Sequence, residues 1–133
     1  MNNEIHYICY EEALEVYRKM IDASGGGFVG VRDEGGILAT LDSIQNDDYY
    51  PTFTKKLSSL VFRFCSGHYF NDGNKRIALT LGAYFLHKNN YQWEACIFMR
   101  QLEAIVYHVA ASHISQDMLL RIMVSFMSGE DYD

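Results

Sequence analysis

Apolar residues recur at helical spacing along most of the chain. Tyr10, Leu14, Tyr17 and Ile21 share one face, with Glu11, Glu12 and Glu15 early and Arg18 and Lys19 late, the charge order a helix dipole favours. Gly25-Gly26-Gly27 ends that pattern. Asp33 is placed to cap a second helix carrying Ile37, Leu38, Leu41 and Ile44, although Gly35 and Gly36 in its first turns weaken it. Gln45 to Tyr50 is polar, then aromatic, and reads as an exposed connection. Pro51 suits the first turn of a third helix, whose stripe is Phe53, Leu57, Leu60, Val61 and Phe64 and which stops at Gly67. Ile77 to His87 is apolar nearly all round, the signature of a buried helix, and Asn89-Asn90 supplies its stop. Tyr91 to Met99 has no clear period. Leu102, Ile105, Val106 and Val109 mark a further helix. A last one starts at Ser115, with Ile114 and Leu119 spaced as a hydrophobic staple and Leu119, Ile122, Met123 and Phe126 facing the core. Ile5 to Cys9 is a short apolar run, a brief strand or a lead-in, and the tail from Gly129 is acidic.

The pattern predicts an all-α fold, a compact bundle of about six helices around one buried helix. No repeat, linker or low-complexity tract divides residues 1–133, so a single domain is expected. A hydrophobic content of 49% with one proline agrees with this, and 133 residues suffice to bury a core without staples. The net charge of -6 and the absence of a basic run argue against sequence-independent nucleic-acid binding. Cys9, Cys65 and Cys96 lack paired spacing and read as buried or idle thiols in a reducing compartment. Without a signal-type apolar region or a long uncharged span, no membrane association is expected, and the cytoplasm is the expected location.

Chemistry concentrates in His68-Tyr69-Phe70-Asn71-Asp72-Gly73-Asn74-Lys75-Arg76, which runs straight into the buried helix. A helix start presents unpaired N–H groups and the positive end of the macrodipole, and so favours anions. Gly73 allows close backbone approach or positive φ. Lys75 and Arg76 add cations at the same place, Arg76 with a fork suited to phosphate oxygens. Asp72 is a hard oxygen donor of the kind Mg²⁺ takes beside a substrate phosphate. His68 belongs to the residue type that exchanges protons most readily near neutrality. Together these residues describe an acid–base group next to a phosphate-and-metal cradle.

This stretch resembles the Fic/Doc family, whose pattern is H-x-F-x-[D/E/N]-[G/A]-N-[G/K]-R; His68, Phe70, Asp72, Gly73, Asn74, Lys75 and Arg76 all match. Gly30-Val31-Arg32-Asp33-Glu34-Gly35 is similar to a segment near the start of Doc (death-on-curing) toxins. Fic proteins that transfer AMP carry Gly where this chain has Lys75, and usually Pro where it has Tyr69, whereas Doc toxins carry Lys at the first position and Ala where this chain has Gly73. The resemblance therefore implies a toxin of a toxin–antitoxin module. It would move the terminal phosphate of ATP, with Mg²⁺, to a protein hydroxyl, by resemblance a threonine of elongation factor Tu, and so arrest translation. It also implies His68 as general base and Asp72 as the Mg²⁺ ligand. Gly73, Asn74 and Lys75 would supply N–H groups, Lys75 and Arg76 would neutralise the phosphates, and Phe70 would be a core anchor. A flap that docks the target as an added strand would fall at about Gln45 to Tyr50, giving a short hairpin.

Two other readings stand beside this one: an AMP transferase of the Fic type, and a binding module without catalysis. Self-restrained family members carry [S/T]-x-x-x-E-[G/N]; no Ser or Thr here has Glu four residues later, so a separate antitoxin is expected. Asp72 also suits a turn or N-cap, with Asn71 as a competing cap. His108 and His113, five apart, should lie on different helix faces, making a metal pair improbable. His6 and His87 read as surface or capping residues. Met118, Met123 and Met127 read as core filling. Tyr49 and Tyr50 suit either partner contact or partial burial.

Overall fold

A computed structural model describes residues 4–26 and 30–128. Among these the fold is all-α: α1 (Tyr10–Ala23), α2 (Glu34–Ser43), α3 (Phe53–Ser66), α4 (Asn74–Lys88), α5 (Gln92–Ala110) and α6 (Gln116–Met127). The expected bundle around one buried helix is what forms. α4 packs chiefly against α3 and α5, and more lightly against α1. Ile77, Ala78, Leu81, Phe85 and Leu86 are fully enclosed. At Gly82 a Cβ would come within 2.6 Å of the Phe98 ring and 3.0 Å of Val61, so the glycine lets three helices close on one another.

The ends of the elements follow local chemistry. Asp33 caps α2 by accepting from Gly36 N at 2.9 Å, as its position predicts. Ser115 caps α6 through Met118 N, and Asn90 takes the left-handed conformation after α4. One expectation needs correction, and the structure decides two open stretches. Pro51 lies before α3, which Thr52 caps by accepting from Lys55 N at 3.1 Å, so the hydroxyl decides the boundary. The stretch Tyr91 to Met99 is the cap and first half of α5; its period is hidden because Phe98 is buried while Trp93 and Met99 are exposed. Residues 4–9 are a coil lead-in to α1 rather than a strand, seating Ile8 in the core and exchanging two hydrogen bonds between the His6 backbone and the Asn89 amide.

Gln45 to Tyr50 forms turns at the N-terminal end of α3, a helix length away from the motif at the other end, so no flap hairpin forms there. The extended backbone beside the motif is Gly30 to Arg32 instead. Val31 bridges antiparallel to Phe70, with Asn71 N donating to Gly30 O and Arg32 N to Tyr69 O. The acidic tail from Gly129 lies outside the described residues. Among the described residues no helix is long and apolar enough to cross a membrane.

Candidate active site at the mouth of the buried helix

The motif is a loop strapped between the end of α3 and the start of α4. Phe70 is buried, stacked on Tyr17 at a centroid distance of 3.9 Å, and fixes the loop to α1. Asn74 folds its amide back on Phe70, accepting from Phe70 N at 3.1 Å and donating to Phe70 O at 2.9 Å. Its side chain is therefore a clasp, and only its backbone N–H can face a ligand.

Gly73 is the N-cap of α4, at φ 80°, a left-handed conformation that an L side chain adopts with strain. Having no side chain, it leaves the helix mouth uncapped, where Ser or Asp would fold over the first N–H groups. Asp72 is thus not the cap. Its Oδ1 accepts from Gly73 N at 2.8 Å, which removes Gly73 N from the expected set of anion donors and leaves Asn74, Lys75 and Arg76 in the first turn. Asn71 is not the cap either, since Gly73 holds that position and no side-chain cap bond closes the start of α4.

No acidic residue occupies the first turn of α4, while Lys75 and Arg76 do. Each cation at the positive end of a helix dipole is unfavourable by about 0.3–1 kcal/mol. A bound anion reverses that sign, so the arrangement makes energetic sense with a phosphate in place. The Lys75 ammonium lies over the exposed Tyr107 ring, 5.4 Å from its centroid.

Three hollows meet at Lys75. One of about 310 Å³ joins His68 to Asp72, Gly73, Asn74 and Lys75, with Ser112 and Cys65 on its far wall. Another, of about 410 Å³, runs from Asp72 and the α4 mouth to Ser24, Gly26 and Tyr107. The third, about 350 Å³, lies outside Lys75 and Arg76 between Leu79, Arg100, Glu103 and Tyr107. Together they leave open space at the helix mouth for a charged ligand with several groups.

His68 is exposed on this cleft at φ 54°. Left-handed backbone costs a non-glycine residue about 1–2 kcal/mol, and such strain collects at functional positions. Asp72 is also exposed and lines two of the hollows. One carboxylate at a phosphate site fits Mg²⁺, which keeps most of its shell as water and substrate oxygens; among the described residues no group of three or more His, Cys, Asp or Glu could hold a metal by itself. Cys65 is no nucleophile. Burial pushes its thiol up to about 11, against the pull of Lys75, and Sγ donates to Val106 O at 3.4 Å.

Other expectations resolve variously. Cys9 and Cys96 are exposed rather than buried. Met123 fills the core and Met127 is half-buried, but Met118 is exposed because it lies on the outer face of α6. His108 and His113 do meet, with their Nδ1 atoms 3.3 Å apart, because α5 ends at Ala110 and Ser112 at φ 65° turns the chain back. Tyr107 lines two of the hollows, and buried Tyr17 holds the loop from behind; the sequence marks Tyr17 only as part of the α1 stripe and does not mark Tyr107.

The comparisons agree with the geometry. The model of the Fic/DOC family matches residues 7–86, a span that holds the whole motif and most of α4. The chain belongs to the Fic/DOC family, whose members are typically transferases of AMP or phosphate. A search of curated proteins returned no match.

Proposed function

We propose that the protein is a phosphotransferase of the Doc type, moving the terminal phosphate of ATP to a hydroxyl of a target protein. The observation that carries this reading is Lys75. Its ammonium stands at the uncapped mouth of α4, at the motif position that separates Doc toxins from AMP-transferring Fic proteins by resemblance. His68 would take the proton of the acceptor hydroxyl as its oxygen bonds to the γ-phosphorus and the bond to ADP breaks. Lys75, Arg76 and the N–H groups of the first turn of α4 would hold the phosphate charge, the main task in such a reaction. Asp72 would hold Mg²⁺, which would supply positive charge to offset that of the phosphates. The target would pair beside Val31, which is exposed, by strand addition, in place of the segment at 45–50. Elongation factor Tu, modified on a threonine, is the target the resemblance suggests. A separate antitoxin would restrain the protein, and the cytoplasm would house both.

One observation favours AMP transfer instead. Gly73 has φ 80°, a conformation that suits the glycine of Fic proteins better than the alanine of Doc. Incubation with α- and γ-labelled ATP and target protein separates the two. Label from the γ-position supports the kinase, label from the α-position supports AMP transfer, and no label with tight nucleotide binding leaves a binding module.

A further inference from the structure

The residue in the left-handed conformation at the end of α3 is not the glycine. Gly67 has φ -82°, which any residue adopts, while His68 beside it has φ 54°. A helix usually places glycine in the left-handed position that ends it. Here the glycine is one residue early, and its purpose is space. A Cβ on Gly67 would lie 2.3 Å from Cε1 of Tyr69, and one on Gly36 of α2 would lie 2.5 Å from the same atom. The Tyr69 ring is lodged between two glycines from different elements, with Phe64 edge-on at 5.2 Å.

Two further attachments fix Tyr69. Its phenol oxygen is 2.7 Å from Oγ1 of Thr40, a fully buried hydroxyl on α2. Its carbonyl accepts from Arg32 N at 2.8 Å and Asp33 N at 3.0 Å. Hydroxyl and backbone are thus held by α2 and the residues just before it, the ring lies between α2 and α3, and Gly67 is held by α3 through Arg63 O. His68 is the single residue spanning these two fixed points.

We propose that Tyr69 is a positioning residue for His68, acting through the hydroxyl of Thr40. The pair sets the left-handed turn that aims the imidazole into the cleft, and it ties that aim to α2 and to the extended segment before it. The rate readout of this inference rests on the transferase reading above; the spectroscopic readout does not.

The test uses Tyr69→Phe, Thr40→Val, the double variant and Thr40→Ser in the full chain. Each protein is assayed for transfer from labelled ATP and examined by NMR for the His68 Cα resonance, which reports its backbone conformation. The expected result is a fall in kcat of about tenfold for Tyr69→Phe and for Thr40→Val, since small misplacements of a reacting group are costly. KM for the nucleotide should stay within about twofold, the double variant should be no slower than the slower single, and Thr40→Ser should restore the rate. The His68 resonance should move in the first three variants and return in the fourth. Parental kcat without the hydroxyl bond, an equal loss in Thr40→Ser, or a fall in kcat with a stationary His68 resonance would overturn the proposal. If the parent transfers nothing, the transferase reading fails by itself and the resonance alone decides: movement supports positioning and stationarity refutes it.

Discussion

The phenol of Tyr17 donates to the backbone carbonyl of Asp72 at 2.8 Å while its ring stacks on Phe70. One α1 side chain thereby fixes both the buried anchor of the motif and Asp72, the residue proposed to hold Mg²⁺. Burial pushes the phenol above its ordinary value, so it remains a donor at physiological pH. Tyr17→Phe keeps the stack and removes the bond. The expected cost is about 1 kcal/mol of stability, read as a lower Tm. A several-fold weaker Mg²⁺-dependent binding of ATP should accompany it, measured by titration calorimetry. Loss of stability with unchanged binding would show that Tyr17 supports the fold alone.

Much of this was legible because helices of a small bundle must bury a stripe, and the stripes of α1, α3, α4 and α6 are uninterrupted. α5 was legible only in its second half, because exposed Trp93 and Met99 surround buried Phe98 and mask the period. Gly35 and Gly36 look like helix breakers in the sequence; Gly36 is explained only when the Tyr69 ring is seen against it. The motif announced its residues but not their division of labour. That Asn74 clasps the loop and that Gly73 N is taken by Asp72 depend on how each side chain folds onto the backbone, which residue identity does not encode. The meeting of His108 and His113 depends on a turn that helical spacing cannot foresee.

Glu12 joins α1 to α4 and should govern behaviour in acid. Burial alone would raise its carboxyl, but hydrogen bonds from Lys88 at 2.7 Å, from Tyr84 at 2.7 Å and from Cys9 N hold it at about 2. The same contact pushes the Tyr84 phenol up to about 12. A carboxyl lowered on folding contributes stability in full above its unfolded value near 4.5, and loses that contribution as pH falls from there towards 2. Urea midpoints measured from pH 6 to pH 2 should fall over this window, and Glu12→Gln should flatten that limb. A parallel limb in the variant would assign the acid sensitivity elsewhere.

Lys56 is a buried cation whose stabilising role can be apportioned by substitution. Its side chain is 1% exposed; Nζ donates to Ile44 O and to Asp47 Oδ1, each at 2.8 Å. Asp47, at 81% exposed, returns to water when released, so little of the energy lies in the ion pair. The Ile44 carbonyl has no such escape. Lys56→Met should therefore cost about 1–3 kcal/mol, the penalty of a buried group left unpaired, and Asp47→Ala less than about 1 kcal/mol. Equal losses in denaturant titrations of the two variants would mean that the ion pair, and not the carbonyl, is what Lys56 serves.

His68 offers the sharpest separation of fold from function. Its left-handed backbone is a standing cost, and it makes no hydrogen bond or ion pair among the described residues to offset it. A residue kept under strain without local return contributes to something other than stability. His68→Gly should relieve the strain and stabilise the protein by up to about 1 kcal/mol, glycine's greater freedom in the unfolded chain taking back part of the gain. His68→Ala should leave stability near the parent value, since alanine meets the same backbone strain. Both should lose transfer by about 10²–10⁴-fold if the imidazole is the base, with nucleotide affinity retained because the phosphate cradle is untouched. Tm and single-turnover transfer, measured on the same samples, decide this. A glycine variant that is both more stable and fully active would remove His68 from the chemistry.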